Sequence, residues 1–477
     1  MSRLLSRRNF VKAAGFAAAS GALAACGATP APQIIEKVVE KEVTTIVEGT
    51  PQVVKETVIV EKVVEATAAP AEKVTVRFSS VGWGGWLSEP WQAIVQDFNA
   101  SQDRITVPEY EDVAEGYQKV MAAAAGNVAA DVYMFENKYM FGFAARGFFL
   151  PLDDFVAAAS DIKKEDYFEN DWKECFFRGK QYLFPFDNSP AMIWYNPELF
   201  DAAGVAYPPT KFGEWKWEDF LMVAQSLTKG EGAERIFGWL GERGYYLLIW
   251  IWSAGGWFLT EDKTRCVVDS PEAMEGLQWA VDLIRKYQVQ PLPEQIPQGG
   301  TSGMFMAKRG AMAQRGTWWA IDLKAASKES GLKWNTAPHP DGKAGAWVRN
   351  PNDAWGIWIG SAHRNEAWEF IKFLDSDPSL EKLTKAGLSM SKKRILYSDV
   401  FLKQEPQDVN WQLFIDALEG HIRPHPDTAV FAQMMDIFNP EWDAIVAGQK
   451  TVQESMPEVA AKVNELLDAC RKEGNCD

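Results

Sequence analysis

Tryptophan, glycine, carboxylate and arginine recur together along this chain in a pattern suited to holding a flat, hydroxylated molecule. Trp, at 21, outnumbers Tyr, at 12. Many of these tryptophans flank glycines or sit in pairs rather than at helical spacing: GWGGW at 82–86, WIWSAGGW at 250–257, RGTWW at 315–319 and DAWGIW at 353–358. A single Trp taken alone is more often core than not, but a set in Gly-rich loops offers large flat contact area at low entropy cost. Flat faces rimmed by a few polar groups match ligands with one apolar face and a hydroxylated edge. Sugars have that form, stacking C–H faces on rings and pairing hydroxyls with carboxylates, amides and guanidinium groups. Glu136, Asn137, Asp187, Asn188, Arg315 and Arg349 are the candidate rim groups.

Motifs for covalent chemistry are missing. The chain has no HExxH, no GxSxG and no GxxxxGK[ST], and GWGGWL lacks the last glycine of a dinucleotide loop. Of four histidines, His421 and His425 stand four apart, but Pro424 breaks the helical face they would share, so no metal and no cofactor are expected. A glycosidase or lyase remains the alternative, because glycoside hydrolysis needs only two placed carboxylates, and there are 65 acidic residues. A formal net charge of −16 argues against nucleic acid, whose phosphates need a basic face. With 47 % hydrophobic residues, the chain can build large cores.

The N-terminus reads as an address. Arg3, Arg7 and Arg8 precede an Ala-rich run from Ala13 to Ala25, too short and too diluted by Gly15, Ser20 and Gly21 to span a bilayer. Ser6 to Lys12, SRRNFVK, resembles a twin-arginine export motif, and LAAC at 23–26 resembles a lipobox, making Cys26 the expected site of lipidation. Residues 1–26 are thus expected to be a signal peptide, and residues 27–72 a low-complexity tether of Val, Ile, Thr, Glu and Lys. Gly49-Thr50-Pro51 interrupts any coiled coil there, and β-branched residues disfavour a lone helix. Largely extended, roughly 45 residues would reach on the order of 100 Å. Besides Cys26 the chain has Cys175, Cys266, Cys470 and Cys476; an even set in an exported protein suggests two disulfides, with three pairings open. The Cys470–Cys476 pair is the least ambiguous, since a helix carrying Cys470 can stop at Gly474 and let Cys476 fold back. Cys175 and Cys266 are then paired or each buried.

The elements that must position the rim groups alternate. From Lys73, VTVRF reads as a strand, SEPWQAIVQDFNAS as a helix capped by Ser88 with Pro90 in its first turn, ITVPEYE as a strand, GYQKVMAAAAG as a helix and DVYMF as a strand. Such alternation predicts a largely parallel sheet, whose ligands bind beyond the carboxyl ends of its strands. Two loops fall there: GWGGW, with Trp83 and Trp86, after the first strand, and Glu136-Asn137-Lys138 after VYMF.

From KVMAAAAGNVAADVYMF, GFFLPLDDFV, LFPFDNSPAMIWYNPELFDAAGV, WEDFLMVAQSLT, KRGAMAQRGTWW and GIWIGSAHRNEAWEFIKFL, in that order, the chain from 73 to 477 resembles the extracellular solute-binding proteins of ABC importers, in the sugar-binding group that includes maltose-binding protein. The resemblance implies an α/β, two-lobed periplasmic-binding-protein fold of type II, with mixed sheets flanked by helices. Lobe one would hold 73–186 and 311–356, and lobe two 187–310 and 357–477. Strands would cross near Pro185-Phe186-Asp187, Ala311-Met312 and Ile357, with the ligand cleft between. It further implies aromatic platforms at Phe135, Tyr245 and Trp318, with Glu136, Asn137, Trp83 and Trp86 on the first lobe. The expected function is capture of a carbohydrate, a di- or oligosaccharide, and its delivery to membrane permease subunits by hinge closure, by a lipid-anchored monomer on the outer face of the cytoplasmic membrane.

Overall fold

A computed structural model describes residues 35–47, 50–62, 73–81, 87–113 and 116–476. The low-complexity segment belongs to one compact unit, and residues from Lys73 onward form another. In the first, β1 (Ile35–Val47) pairs antiparallel with β2 (Thr50–Lys62), Val38 opposite Ile59 and Val47 opposite Thr50. This differs from the single extended tether: the Val/Ile/Thr runs favour strand, and the second run pairs back along the first instead of continuing outward. A hairpin of 13-residue strands spans roughly 44 Å at about 3.4 Å per residue, less than half the extended reach.

Two sheets organise the second unit. The first has the order β6-β12-β5-β3-β4. Here β3 (Phe78–Val81) pairs parallel with β4 (Tyr110–Val113) and β5 (Val132–Glu136), as the alternating pattern predicts. Two returning strands, β12 (Asp353–Ile357) and β6 (Phe184–Pro185), add antiparallel. Helix α1 (Ser88–Ser101) covers this sheet with Trp91, Ile94, Val95 and Phe98, spaced i, i+3, i+4, i+7 along one face. Ser88 lies inside the helix and caps nothing; Leu87 takes the cap position without a side-chain bond.

The second sheet has the order β9-β10-β8-β11. Its strands are β8 (Met192–Tyr195), β9 (Phe237–Leu240), β10 (Gly310–Arg315) and β11 (Asn335–Ala337). Gly238 lets the helix Trp217–Leu227 lie directly on β9, because a Cβ there would sit 1.9 Å from the Ala224 carbonyl oxygen. The buried helix Leu248–Ala254 and the helix Pro271–Arg285, capped by Ser270, complete this core.

This topology corrects the expected lobe boundaries. β10 does not cross between lobes: it is central in the second sheet, flanked by β9 and β8, so residues 310–337 belong to lobe two. β12 lies wholly in the first sheet, and the helix that follows it, Arg364–Leu374, packs Phe370 against Phe98 of α1 at 4.9 Å, so this stretch belongs to lobe one. The chain therefore passes between the sheets at 186–191 and 338–352. It passes again between the helix Asp399–Leu402 and the helix Gln412–Gly420, whose Phe414 packs on Trp194 of β8. The first crossing holds β7 (Asp187–Asn188), paired with β13 (Ser389–Met390). The physical reason for the misplacement is that β10 is buried on both faces and its two neighbours, β8 and β9, both lie far back along the chain, which local pattern does not reveal.

At the C-terminus the helix Val452–Lys472 opens with a Thr451/Glu454 capping box. Gly474 then takes a left-handed φ of 69°, and Cys470 is bonded to Cys476. Closing so short a loop is worth about 2 kcal/mol in the chain-entropy picture. Cys175 and Cys266 are free and buried. Peptide mapping without reduction should recover an internally bonded 470–476 loop, with Cys175 and Cys266 alkylated only after denaturation; a free Cys470 in fresh oxidised protein would contradict this.

Candidate functional site

A cavity of about 230 Å³ lies between the two sheets, where strand ends and crossings converge. Val81 and Glu136 close β3 and β5. Asp187 and Ser189 come from the first crossing, Arg349 and Pro351 from the second, and Asp353 from the start of β12. Lobe two contributes Tyr245 and Tyr246, on the 3-10 turn Gly244–Leu247 after β9, and Trp318, just after β10. This is the position beyond the carboxyl ends of strands at which open α/β sheets bind ligands. Gly316 permits it locally: a Cβ there would meet the Ser189 hydroxyl at 2.2 Å and the Trp318 ring at 2.8 Å.

Arg349 is the organising charge. Only 2 % exposed, its guanidinium lies 4.0 Å from the centre of the Tyr245 ring and 4.9 Å from that of Tyr246. Its Nη2 stands 3.7 Å from Glu136 Oε1, and its Nε donates at 3.4 Å to His425 Nε2. The other ring nitrogen of His425 meets Asp427 Oδ1 at 2.5 Å. Burial lowers the His425 pKa against the pull of Asp427, which suits a neutral ring donating to Asp427 and accepting from Arg349. On the facing lobe, Lys138 pairs with Glu136 and reaches the Tyr245 hydroxyl at 3.4 Å. Burial works to discharge Lys138, but Glu136 and the neighbouring phenols outweigh it and raise its pKa. Two contacts thus bridge the lobes, Glu136–Arg349 and Lys138–Tyr245. Asp187 Oδ1 accepts from the Asp353 N–H at 2.9 Å, and burial, then the Asp353 charge, push the Asp187 carboxyl well above the usual range. The cavity therefore offers a planar cationic donor, acceptor carboxylates, a carboxyl held toward its protonated form and an indole.

Of the residues read from sequence, Glu136, Asp187, Tyr245, Trp318 and Arg349 meet at this cavity. Phe135 does not. It is 0 % exposed and packs edge-on against Phe143 at 4.8 Å and Phe149 at 5.0 Å, because alternation along β5 turns it under helix α3 (Asn137–Ala145). Asn137 opens α3; its side chain, with Trp83, Trp86 and Cys26, lies outside the described residues. Asn188 is fully buried in the hinge. Arg315 turns away to a second cavity of about 1030 Å³ within lobe two, where its Nη1 stands 2.6 Å from Glu242 Oε1. Trp250 and Trp442 also line that cavity, and the Gly244–Leu247 turn is its wall with the first, carrying Leu247 on one side and Tyr245 on the other. Glu242 and Tyr246 were not read from sequence, although LGERGYY follows the strand FGWL, the strand-end signal that marks the loops of lobe one.

The fold and this cleft define a two-lobed solute receptor. The family model for bacterial extracellular solute-binding proteins matches residues 84–379, and the chain belongs to that family. It is 25 % identical over 332 residues to the diacetylchitobiose binding protein DasA of Streptomyces coelicolor, covering 66 % of this chain and 73 % of that one. Among solved structures it is similar to the ABC substrate-binding protein Lmo0181 from Listeria monocytogenes, in complex with cycloalternan, with TM-score 0.74 and 20 % identity over 83 % of this chain and 100 % of that one. It is also similar to the GacH receptor of Streptomyces glaucescens, studied unliganded and with acarbose, with TM-score 0.71 and 22 % identity over 83 % and 99 %.

Proposed function

We propose that this protein is the extracytoplasmic capture component of an ABC importer, binding a carbohydrate between its lobes and handing it to membrane permease subunits on closure. The observation that carries the reading is the convergence of the Trp318 indole, the Arg349 guanidinium and the carboxyl groups of Glu136, Asp187 and Asp353 on one inter-lobe cavity. An aromatic face with a planar donor and several acceptors is the chemistry a pyranose requires. The saccharides bound by DasA, Lmo0181 and GacH support the same class. Closure is driven by a ligand that touches both lobes, since contacts with one lobe alone give no preference for the closed state. No covalent step is required, and the sugar leaves unchanged.

A thermal-shift screen against mono- and oligosaccharides tests this, because a ligand at 100 times its dissociation constant adds about 2.7 kcal/mol. Stabilisation by a saccharide is expected; stabilisation by amino acids or peptides alone would overturn the reading. The monomeric receptor is held at the outer face by lipid on Cys26, which lies outside the described residues. Cys26→Ser should move the protein out of the detergent phase in a partition assay, and unchanged partitioning would contradict the anchor. Replacing Arg7 and Arg8 by Lys should block export, whereas normal export would point to a general secretory signal.

A further inference from the structure

Arg178 stands where a two-residue hairpin turn favours Asn, Asp or Gly. The strands Phe176–Phe177 and Lys180–Gln181 of lobe one are joined by Arg178 at φ 51° and Gly179 at φ 72°, both in the left-handed region. A long side chain kept at such a position points to a role for that side chain. The guanidinium lies 4.9 Å from the centre of the Phe177 ring and donates to the carbonyl oxygens of Gly474 and Cys476, the latter at 2.8 Å. These partners belong to lobe two. The helix Val452–Lys472 is held there by Asn464, which accepts from the Cys266 N–H at 2.8 Å and donates to the Cys266 carbonyl at 3.1 Å, and by Arg471, which donates to the Thr264 carbonyl. The Cys470–Cys476 bond, the left-handed Gly474 and the Asn475 N–H, donating to the Cys470 carbonyl at 2.9 Å, fold the chain end into a turn that offers its carbonyls to Arg178.

This contact continues a seam that starts at the ligand cavity. Helix α3 follows directly on Glu136, and lobe two meets it along its length. Lys138 reaches Tyr245, the Lys263 ammonium lies 4.9 Å from the centre of the Phe141 ring, and a Cβ on Gly142 would stand 3.3 Å from the Ala429 carbonyl oxygen. At its far end Ala145 and Arg146 share a cavity of about 210 Å³ with Cys470 and Asn475. Phe177 packs on Phe141 at 5.9 Å, which sets Arg178 beside the same helix. We propose that Arg178 and the disulfide-closed turn form a latch between the lobes: the guanidinium ties the chain end to lobe one in the arrangement where the cavity is bridged, and losing either half lets the lobes part more often. The proposal rests on the closure part of the reading above and not on the ligand's identity. Neither half lines the ligand cavity. The disulfide matters because it fixes both acceptor carbonyls before the lobes meet; an unbridged tail would have to be ordered at each closure, which weakens the contact.

The test is a spin-label distance measurement on the ligand-free full chain in a Cys26→Ser background. Val128→Cys in lobe one and Met222→Cys in lobe two carry the labels; these sites are 63 % and 59 % exposed, whereas Cys175 and Cys266 are buried. Arg178→Ala should raise the long-distance population about two-fold or more, the size expected from losing one or two exposed hydrogen bonds. Its melting temperature should stay near that of the parent, because the side chain is exposed. Arg178→Lys, which keeps a donor for one carbonyl, should recover part of the parent distribution. Cys470→Ser with Cys476→Ser should shift the distribution the same way, and all three substitutions together should do no more than the larger of the two shifts, since both act on one contact. The Arg178→Ala arm stands alone should loss of the disulfide unfold the C-terminal helix. A distribution unchanged or shortened in Arg178→Ala, or shifts that add in full on combination, overturns the proposal, whatever the sugar screen returns.

Discussion

Replacing Arg349 by alanine is expected to destroy saccharide binding and to weaken the ligand-free protein as well. The guanidinium is buried, stacks on Tyr245 and Tyr246, and stands between Glu136 and His425. Removing it leaves Glu136 with Lys138 as its remaining cation and leaves the buried His425 Nε2 without its donor, a loss that typically costs about 1–3 kcal/mol. The same deletion takes away the planar donor that faces the cavity. Binding should fall by about 2 kcal/mol or more, roughly 30-fold at the least. Arg349→Lys keeps the charge but not the flat, stacking fork, and should recover stability better than affinity. Denaturant unfolding without ligand, beside calorimetric titration, reads both effects. A variant with native affinity would remove Arg349 from the site.

The second large effect separates two adjacent tryptophans. Trp318 lines the cavity, half-buried, while Trp319 is 0 % exposed and packs against Phe305 at 4.9 Å and Trp194 at 5.9 Å. Trp319→Ala should therefore cost about 3–5 kcal/mol of stability through the void it leaves. Trp318→Ala should weaken binding by about 1–3 kcal/mol, from ten-fold to over a hundred-fold, with only a modest loss of apo stability. If Trp318→Ala instead keeps its affinity and melts far lower, its ring belongs to the core.

The sequence made some of this legible and hid the rest for identifiable reasons. Alternating strands and helices announced the parallel β4-β3-β5 core of lobe one, and Gly474 between two cysteines announced the folded-back tail. The faces of β5 stayed hidden: VYMF is buried on both sides, so no polar alternation separates Phe135, which faces the core, from Glu136 at the strand end. The same double burial concealed that GAMAQR is the centre of the second sheet, because its neighbours are set by pairing across long stretches of chain. Glu136 and Arg349 could each be named from sequence as rim groups. That they stand 3.7 Å apart, with tyrosines stacked on one of them, follows only from how the second crossing lies across the cleft.

The measurement that most directly tests the central claim is a calorimetric titration of the wild-type chain with the saccharide that stabilises it, followed by mass analysis of the recovered ligand. A capture protein with this cleft should bind saturably at one site and return the sugar at its original mass. Absence of saturable binding, or recovery of cleaved or rearranged sugar, would contradict the account.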